Sequence, residues 1–123
     1  MNGQELVERA ESASKNAYAP YSNYLVGAVL LLKDGRVYEG VNVENAAYPL
    51  GVCAERTAIS KAASEGVRPG DIDAVGITAS PCGGCRQWLY EFKIAEITFL
   101  NSRGELATYS AADLLPDTWD LPD

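Results

Sequence analysis

Three cysteines and one glutamate hold the chemistry most readily read from this sequence. Cys53-Ala54-Glu55 is followed, well downstream, by Pro81-Cys82-Gly83-Gly84-Cys85. The three thiolates can share one metal ion, and Glu55 stands close enough to act without being a ligand. Zinc held by three protein groups keeps its fourth position for water, whereas a structural site closes all four. The glycines between Cys82 and Cys85 allow close backbone approach, so both sulfurs can face one ion. Three thiolates outweigh the charge of a divalent ion and weaken its acidifying effect on bound water. Arg56 and Arg86 each lie near a ligand and can offset that excess by donating to sulfur, Arg56 being the stronger candidate. Glu55, two residues past Cys53, can reach a metal-bound water and move its protons.

Simpler readings of the same residues exist. A buried cysteine acting as a small hydrophobe accounts for Cys53 alone, not for the Gly-Gly pair. A thioredoxin-like redox pair at Cys82 and Cys85 leaves Cys53-Ala54-Glu55 without a role. A structural zinc knuckle needs a fourth ligand, which an Asp or Glu could supply, and that reading stays open.

Composition excludes much else. The chain contains no histidine, so Ser-His-Asp and Cys-His hydrolases and histidine zinc sites are ruled out. Any general acid or base must be Glu, Asp, Lys, Tyr or Cys. Ten basic residues stand against 17 acidic ones, a net charge of −7. Such a chain repels a phosphate backbone unless it carries a basic patch, and the Lys and Arg residues are scattered. A nucleic-acid partner is therefore not expected. Nor is a membrane partner, since no apolar stretch approaches spanning length. Met1 to Glu5 begins a polar helix rather than a basic and then apolar signal sequence. The expected compartment is the cytoplasm, where thiols stay reduced and metal binding is favoured over disulfides.

The elements that must position these residues follow from periodicity and breakers. Residues 5–17 have helical spacing, with Leu6, Ala10, Ala13 and Ala17 on one face. Ala19-Pro20-Tyr21-Ser22 stops that helix. Residues 25–32 read as a buried strand, Lys33-Asp34-Gly35-Arg36 as a hairpin turn, and residues 37–41 as the returning strand. Residues 42–52 lack a period and read as a functional loop. Helices are expected at 53–64 and 83–92, strands at 72–78, 94–100 and 105–109, and a short helix at 110–115. Two strand–helix–strand passes suggest parallel neighbours, beside an antiparallel first hairpin. The 123 residues fit one domain, residues 1–123, of the α/β class. The expected architecture is a three-layer α/β/α sandwich around a mixed sheet of about five strands. Both cysteine motifs then open helices, whose N-termini carry partial positive charge and favour thiolate.

Over nearly its whole length the chain resembles the small, homotetrameric cytidine deaminases. The shared stretches are Ala19-Pro20-Tyr21-Ser22, Val26-Gly27-Ala28, Asn42-Val43-Glu44-Asn45-Ala46, Cys53-Ala54-Glu55-Arg56-Thr57-Ala58, Pro81-Cys82-Gly83-Gly84-Cys85-Arg86-Gln87 and Leu114-Leu115-Pro116. The resemblance implies one Zn²⁺ per subunit on Cys53, Cys82 and Cys85. It implies hydrolysis of free cytidine and deoxycytidine to uridine and deoxyuridine with loss of ammonia, a pyrimidine salvage reaction. In that scheme a zinc-bound hydroxide attacks C4, while Glu55 passes a proton to N3 and later to the departing amine.

By the same resemblance Asn42 and Glu44 hold the ribose hydroxyls, and the Ala54 N–H holds the pyrimidine carbonyl. Tyr24 falls where the family places an aromatic, usually Phe, against base and sugar. Tyr48 matches a loop residue near a neighbouring subunit's site. Trp119 stands where the family's tail offers Phe to a neighbour, so the implied partner is the chain itself, as a homotetramer. The stretch between Ile72 and Cys82 is shorter than in the family, at a place near subunit contacts, and Gly84 replaces a common Ala. Two rival functions are a deaminase of another aminated nucleoside, such as blasticidin S, and a zinc-stabilised binding module without catalysis. The ribose-type residues disfavour the first, and Glu55, which a structural site does not need, disfavours the second.

Overall fold

Asn2 starts the first helix, α1 (Gly3–Ser14), in the computed structural model, which describes residues 1–122. The Asn2 side chain accepts from the Glu5 amide, and the Glu5 carboxylate accepts from the Asn2 amide. This reciprocal cap satisfies two N–H groups that the first turn leaves unpaired. Leu6, Ala10 and Ala13 are buried along one face, as their spacing predicts, but the helix stops at Ser14, so Ala17, expected on that face, lies beyond it and is half-buried.

The chain continues through β1 (Gly27–Leu32), β2 (Val37–Val41), a 3₁₀ turn (Tyr48–Leu50), α2 (Ala54–Ser64) and β3 (Ile72–Ile77). It ends with α3 (Gly83–Glu91), β4 (Ile97–Leu100), β5 (Leu106–Tyr109) and α4 (Ala111–Leu114). The strands form one sheet in the order β2-β1-β3-β4-β5. β1 runs antiparallel to both its neighbours, β3 and β4 are parallel, and β5 returns antiparallel. The β1–β2 turn closes at Gly35, whose φ of 93° suits glycine.

Helices cover both faces, as expected for a three-layer sandwich. Leu6 and Ala10 of α1 pack on Val29 and Ala74. On the other face Ile59 of α2, Leu89 of α3 and Leu114 of α4 share a core with Leu30, Val75 and Ile97. β1 serves both, with Ala28, Leu30 and Leu32 on one side and Val29 and Leu31 on the other.

Three expectations need correction. Of the two strand–helix–strand passes, the one through α3 gives parallel neighbours, β3 and β4. The pass through α2 does not, because β1 inserts between β2 and β3. β1 is apolar on both faces and takes an interior place, leaving the less buried β2 at an edge. β1 also begins at Gly27 rather than residue 25, because the Asn42 side chain takes up the preceding backbone. Val26 N donates to Asn42 Oδ1 at 2.8 Å, and Asn42 Nδ2 donates to Tyr24 O at 2.9 Å. β4 begins at Ile97 rather than residue 94, because Lys93 and Ile94 close α3. Lys93 is left-handed (φ 58°), and the Lys93 and Ile94 amides donate back to Tyr90 O and Leu89 O.

Candidate metal centre and active site

Two of the three cysteines are helix N-caps. Cys53 caps α2 without using its side chain for the cap, which leaves its sulfur free for other partners. Cys82 caps α3, and its Sγ accepts from the Cys85 amide at 3.4 Å. Gly40 on β2 lets α2 lie close to the sheet: a Cβ there would come within 2.5 Å of Ala54 O and Ala58 N. The start of α2 is thus pressed onto the sheet beside the start of α3.

The three Sγ atoms lie within 4.8 Å of one another, with Cys53 and Cys82 at 3.8 Å. A tetrahedral zinc with Zn–S bonds of about 2.3 Å requires sulfurs about 3.8 Å apart, so the donor set fits the ion. No fourth side-chain ligand joins the group among the described residues, which leaves the structural-knuckle reading without its last donor. Cys82 is exposed, Cys53 half-buried and Cys85 buried, so the cluster opens to solvent on the Cys82 side.

The electrostatics favour thiolate at Cys53. The neighbouring Cys85 thiol is the largest influence, and with the hydrogen bonds to Arg56 and Cys82 it lowers the Cys53 pKa to about 5. Cys85 moves the opposite way, chiefly through the neighbouring Cys53 sulfur and then through burial and the charge of Glu55. Arg56 Nη2 donates to Cys53 Sγ at 3.4 Å, and that bond holds the guanidinium still more firmly charged. Glu55 is 4% exposed. Burial pushes its carboxyl above the ordinary glutamate value, and the nearby Cys53 charge adds to the shift.

The loop from Asn42 to Val52 is tied to the same place. Val43 and Val52 exchange both backbone hydrogen bonds at 2.9 Å, directly before Cys53. Tyr18 N donates to Asn42 O and Glu44 N to Tyr18 O, so Asn42 and Glu44 are fixed against the end of the α1 connection. The Glu44 carboxylate accepts from the Tyr21 amide at 3.0 Å, the Ser22 amide at 3.1 Å and the Ser22 hydroxyl. The Ser22 hydroxyl is the largest influence holding the Glu44 carboxyl below its usual range, and the two amides add to it. Glu44 lines a cavity of about 380 Å³ with Tyr21, Ser22, Asn45, Tyr48 and Gly51. A cavity of about 390 Å³ between the end of α3 and the start of α4 contains none of the expected site residues.

The remaining candidates are spread around this centre. Ala54 is the buried first residue of α2, where the N–H has no partner within the helix. Tyr24 is 62% exposed, with its carbonyl held by Asn42. Tyr48, 75% exposed, stands edge-on to Tyr21 with ring centroids 6.0 Å apart. Trp119 is 66% exposed, and its carbonyl accepts from Gln87 Nε2 at 3.4 Å. Arg86 departs from expectation. Its guanidinium is taken up by main-chain oxygens, Nε by Pro81 O at 2.9 Å and Nη1 by Leu114 O at 3.1 Å, rather than by a sulfur. Carbonyl oxygens are stronger acceptors than sulfur, which accounts for the difference. The residues that the sequence reading passed over are Tyr21 and Ser22, read there as a turn.

Residues 1–101 match the family model described as cytidine and deoxycytidylate deaminase zinc-binding region. The chain belongs to this deaminase family. A protein named cytidine deaminase from Halalkalibacterium halodurans is 42% identical over 131 aligned residues, covering 100% of this chain and 98% of that one. One named probable cytidine deaminase from Dictyostelium discoideum is 37% identical, covering 100% and 89%. Among solved structures, cytidine deaminase from Burkholderia pseudomallei superposes with a TM-score of 0.89 at 43% identity, covering 97% of this chain and 100% of that one. The five-stranded mixed sheet with helices on both faces is the fold of these deaminases, and the three sulfurs form a possible metal-binding group within it.

Proposed function

We propose that this chain is a zinc-dependent cytidine deaminase. It hydrolyses the C4 amino group of free cytidine and deoxycytidine, releasing ammonia and leaving uridine and deoxyuridine. The observation that carries this reading is the three-sulfur cluster with a buried Glu55 two residues from one of its members. Full-length relatives bearing that name support it.

Cys53, Cys82 and Cys85 would hold the zinc, which when bound supplies Lewis acidity that brings the pKa of water towards neutrality. Arg56 supplies positive charge at Cys53 Sγ. Glu55 takes one proton of the attacking water and delivers it to ring N3; it then takes the second proton from the oxygen newly bonded to C4 and delivers it to the amine, which leaves as ammonia while the C4 carbonyl forms. Its raised pKa suits a group that must both accept and return a proton near neutrality.

Glu44 and Asn42 orient the ribose. Each Asn42 amide atom already holds one backbone group and retains capacity for a second bond. The Ala54 N–H holds the pyrimidine carbonyl, and Tyr24, Tyr48 and Trp119 supply aromatic faces for base and sugar.

The working form is a homotetramer in which neighbouring subunits complete each site. The exposed Leu25, Val43, Leu50 and Val52 around the loop support this, since apolar side chains grouped at one place favour a covering partner. The setting is pyrimidine salvage in the cytoplasm. No helix among the described residues is long and apolar enough to cross a membrane.

Ultraviolet-monitored turnover of cytidine by zinc-loaded protein tests the reaction, with Glu55→Gln as control. Loss of the cytidine band in the wild type alone is the expected result. No turnover by zinc-replete, assembled protein would sink the assignment.

A further inference from the structure

Cys82 is the most weakly packed of the three metal-site cysteines. It is exposed, and Gly83 and Gly84, which follow it, face open space, so among the described residues no side chain packs against these glycines to wedge the turn in place. Its position depends on main-chain restraint. Part of that comes from the start of α3, where the Arg86 amide donates to Cys82 O at 3.0 Å. The other part comes from the Arg86 side chain, which reaches back to the carbonyl of buried Pro81, the residue before Cys82.

The same guanidinium reaches Leu114 O at the end of α4. The last carbonyls of a helix have no partner within it, so this bond satisfies an otherwise open acceptor. Arg86 therefore bridges two main-chain oxygens that the fold brings together, using two arms of one rigid planar group. The next residues of α3 extend the attachment: Gln87 holds Trp119 O, and Tyr90 OH donates to Asp120 Oδ2 at 2.9 Å. α3 thus carries the metal turn at its start and the C-terminal segment along its side.

We infer that Arg86 is a positioning residue that locks the Pro81–Cys82 turn against the end of α4, so that retention of the metal by Cys82 depends on how α4 is seated. This rests on the zinc reading proposed above. Arg86 acts through the turn and contacts neither metal nor substrate.

The test measures the rate at which full-length, zinc-loaded protein gives up zinc to a colorimetric chelator. Arg86→Ala is expected to release zinc about tenfold faster, the lower end of the usual effect of removing a group that orients ligands. Arg86→Lys keeps the charge but cannot span both oxygens, and is expected to release zinc faster than wild type as well. Arg103 lines a cavity of about 320 Å³ together with Arg86 but pairs with Glu105 instead, so Arg103→Ala should release zinc at the wild-type rate. A second variant leaves Arg86 intact: Ser110→Ala removes the hydroxyl that caps α4 through the Asp113 amide. It should give a smaller acceleration that disappears in the Arg86→Ala background.

Full restoration by lysine would mean that charge alone matters and would overturn the inference. So would wild-type release from Arg86→Ala, or an equal loss of melting temperature in its zinc-free and zinc-loaded forms with release unchanged. A wild-type protein that binds no zinc would instead refute the metal reading itself.

Discussion

Arg56 donates through Nη2 to the sulfur of Cys53 at 3.4 Å from the first turn of the same helix. Its Nε is buried and has no hydrogen-bond partner among the described residues. A guanidinium held this way offers the cluster charge as well as a hydrogen bond, and it cannot lose its proton at ordinary pH. Three thiolates around a divalent ion leave excess negative charge, and Arg56 is placed to offset it.

Removing that cation should therefore harm turnover even where zinc is retained. Arg56→Ala is expected to lower kcat about ten- to a hundredfold at equal zinc content, in the range typical for a group that tunes a metal ligand. Arg56→Lys keeps the charge with a compact head and should fall between the two. Metal analysis beside steady-state kinetics checks this, and an Ala variant with wild-type kcat would contradict it.

Glu44 makes a separate prediction about pH. Its carboxylate accepts from the Ser22 hydroxyl and from the Ser22 and Tyr21 amides, and these bonds hold its pKa below the usual 4.5. A carboxyl depressed in the folded state contributes stability above its unfolded value and loses it as pH falls through the folded value. The Tyr21–Ser22 turn should accordingly stay docked throughout the neutral range and loosen below pH 4.5. Amide chemical shifts of Tyr21 and Ser22 should titrate together with a midpoint below that value. In Glu44→Gln the common titration should vanish.

The reason some of this was legible beforehand lies in what kind of information each residue carries. Cys53, Glu55, Cys82 and Cys85 announce themselves because rare side-chain chemistry recurs at spacings fixed by two helix starts. Only the family resemblance points to Asn42 and Glu44 as ribose-binding, and nothing in the sequence names their local partners. The bonds of Arg86 were hidden because its acceptors are main-chain oxygens, which every residue possesses, and tertiary packing alone brings Pro81 near Leu114. The place of β1 between β2 and β3 was hidden for a related reason. An apolar strand declares that it is buried, but its alternation does not name its neighbours. Ile94 reads as strand from its side chain, yet its amide is already committed to Leu89 O at the end of α3.

Gly40 is a packing requirement of the metal helix. An added Cβ would meet the backbone of Ala54 and Ala58, which cannot move aside as a flexible side chain could. Gly40→Ala should push the start of α2 off the sheet, at a cost of about 1–3 kcal/mol for overpacking a tight contact. Because Cys53 caps that helix, the variant should also hold zinc more weakly. Urea unfolding of the zinc-free protein gives the first quantity and chelator competition the second. A destabilised variant with unchanged zinc affinity would show that the contact supports the fold without setting the site.

Asn42 is held on both sides of its amide, accepting from Val26 N at 2.8 Å and donating to Tyr24 O at 2.9 Å. Its proposed contact with the ribose therefore depends on a side chain whose orientation the backbone already dictates. Asn42→Asp is nearly isosteric and preserves the bond from Val26 N, but it sets a carboxylate oxygen against the Tyr24 carbonyl. The expected result is a stability loss of about 0.5–1.5 kcal/mol, the net worth of one hydrogen bond, since the carbonyl of the exposed Tyr24 can turn to water. A rise in KM for cytidine should accompany it, since Tyr24 moves with its carbonyl. Asn42→Ala loses both bonds and should be the less stable of the two. If Asn42→Asp kept wild-type stability and raised KM alone, Asn42 would serve the ribose without bracing Tyr24.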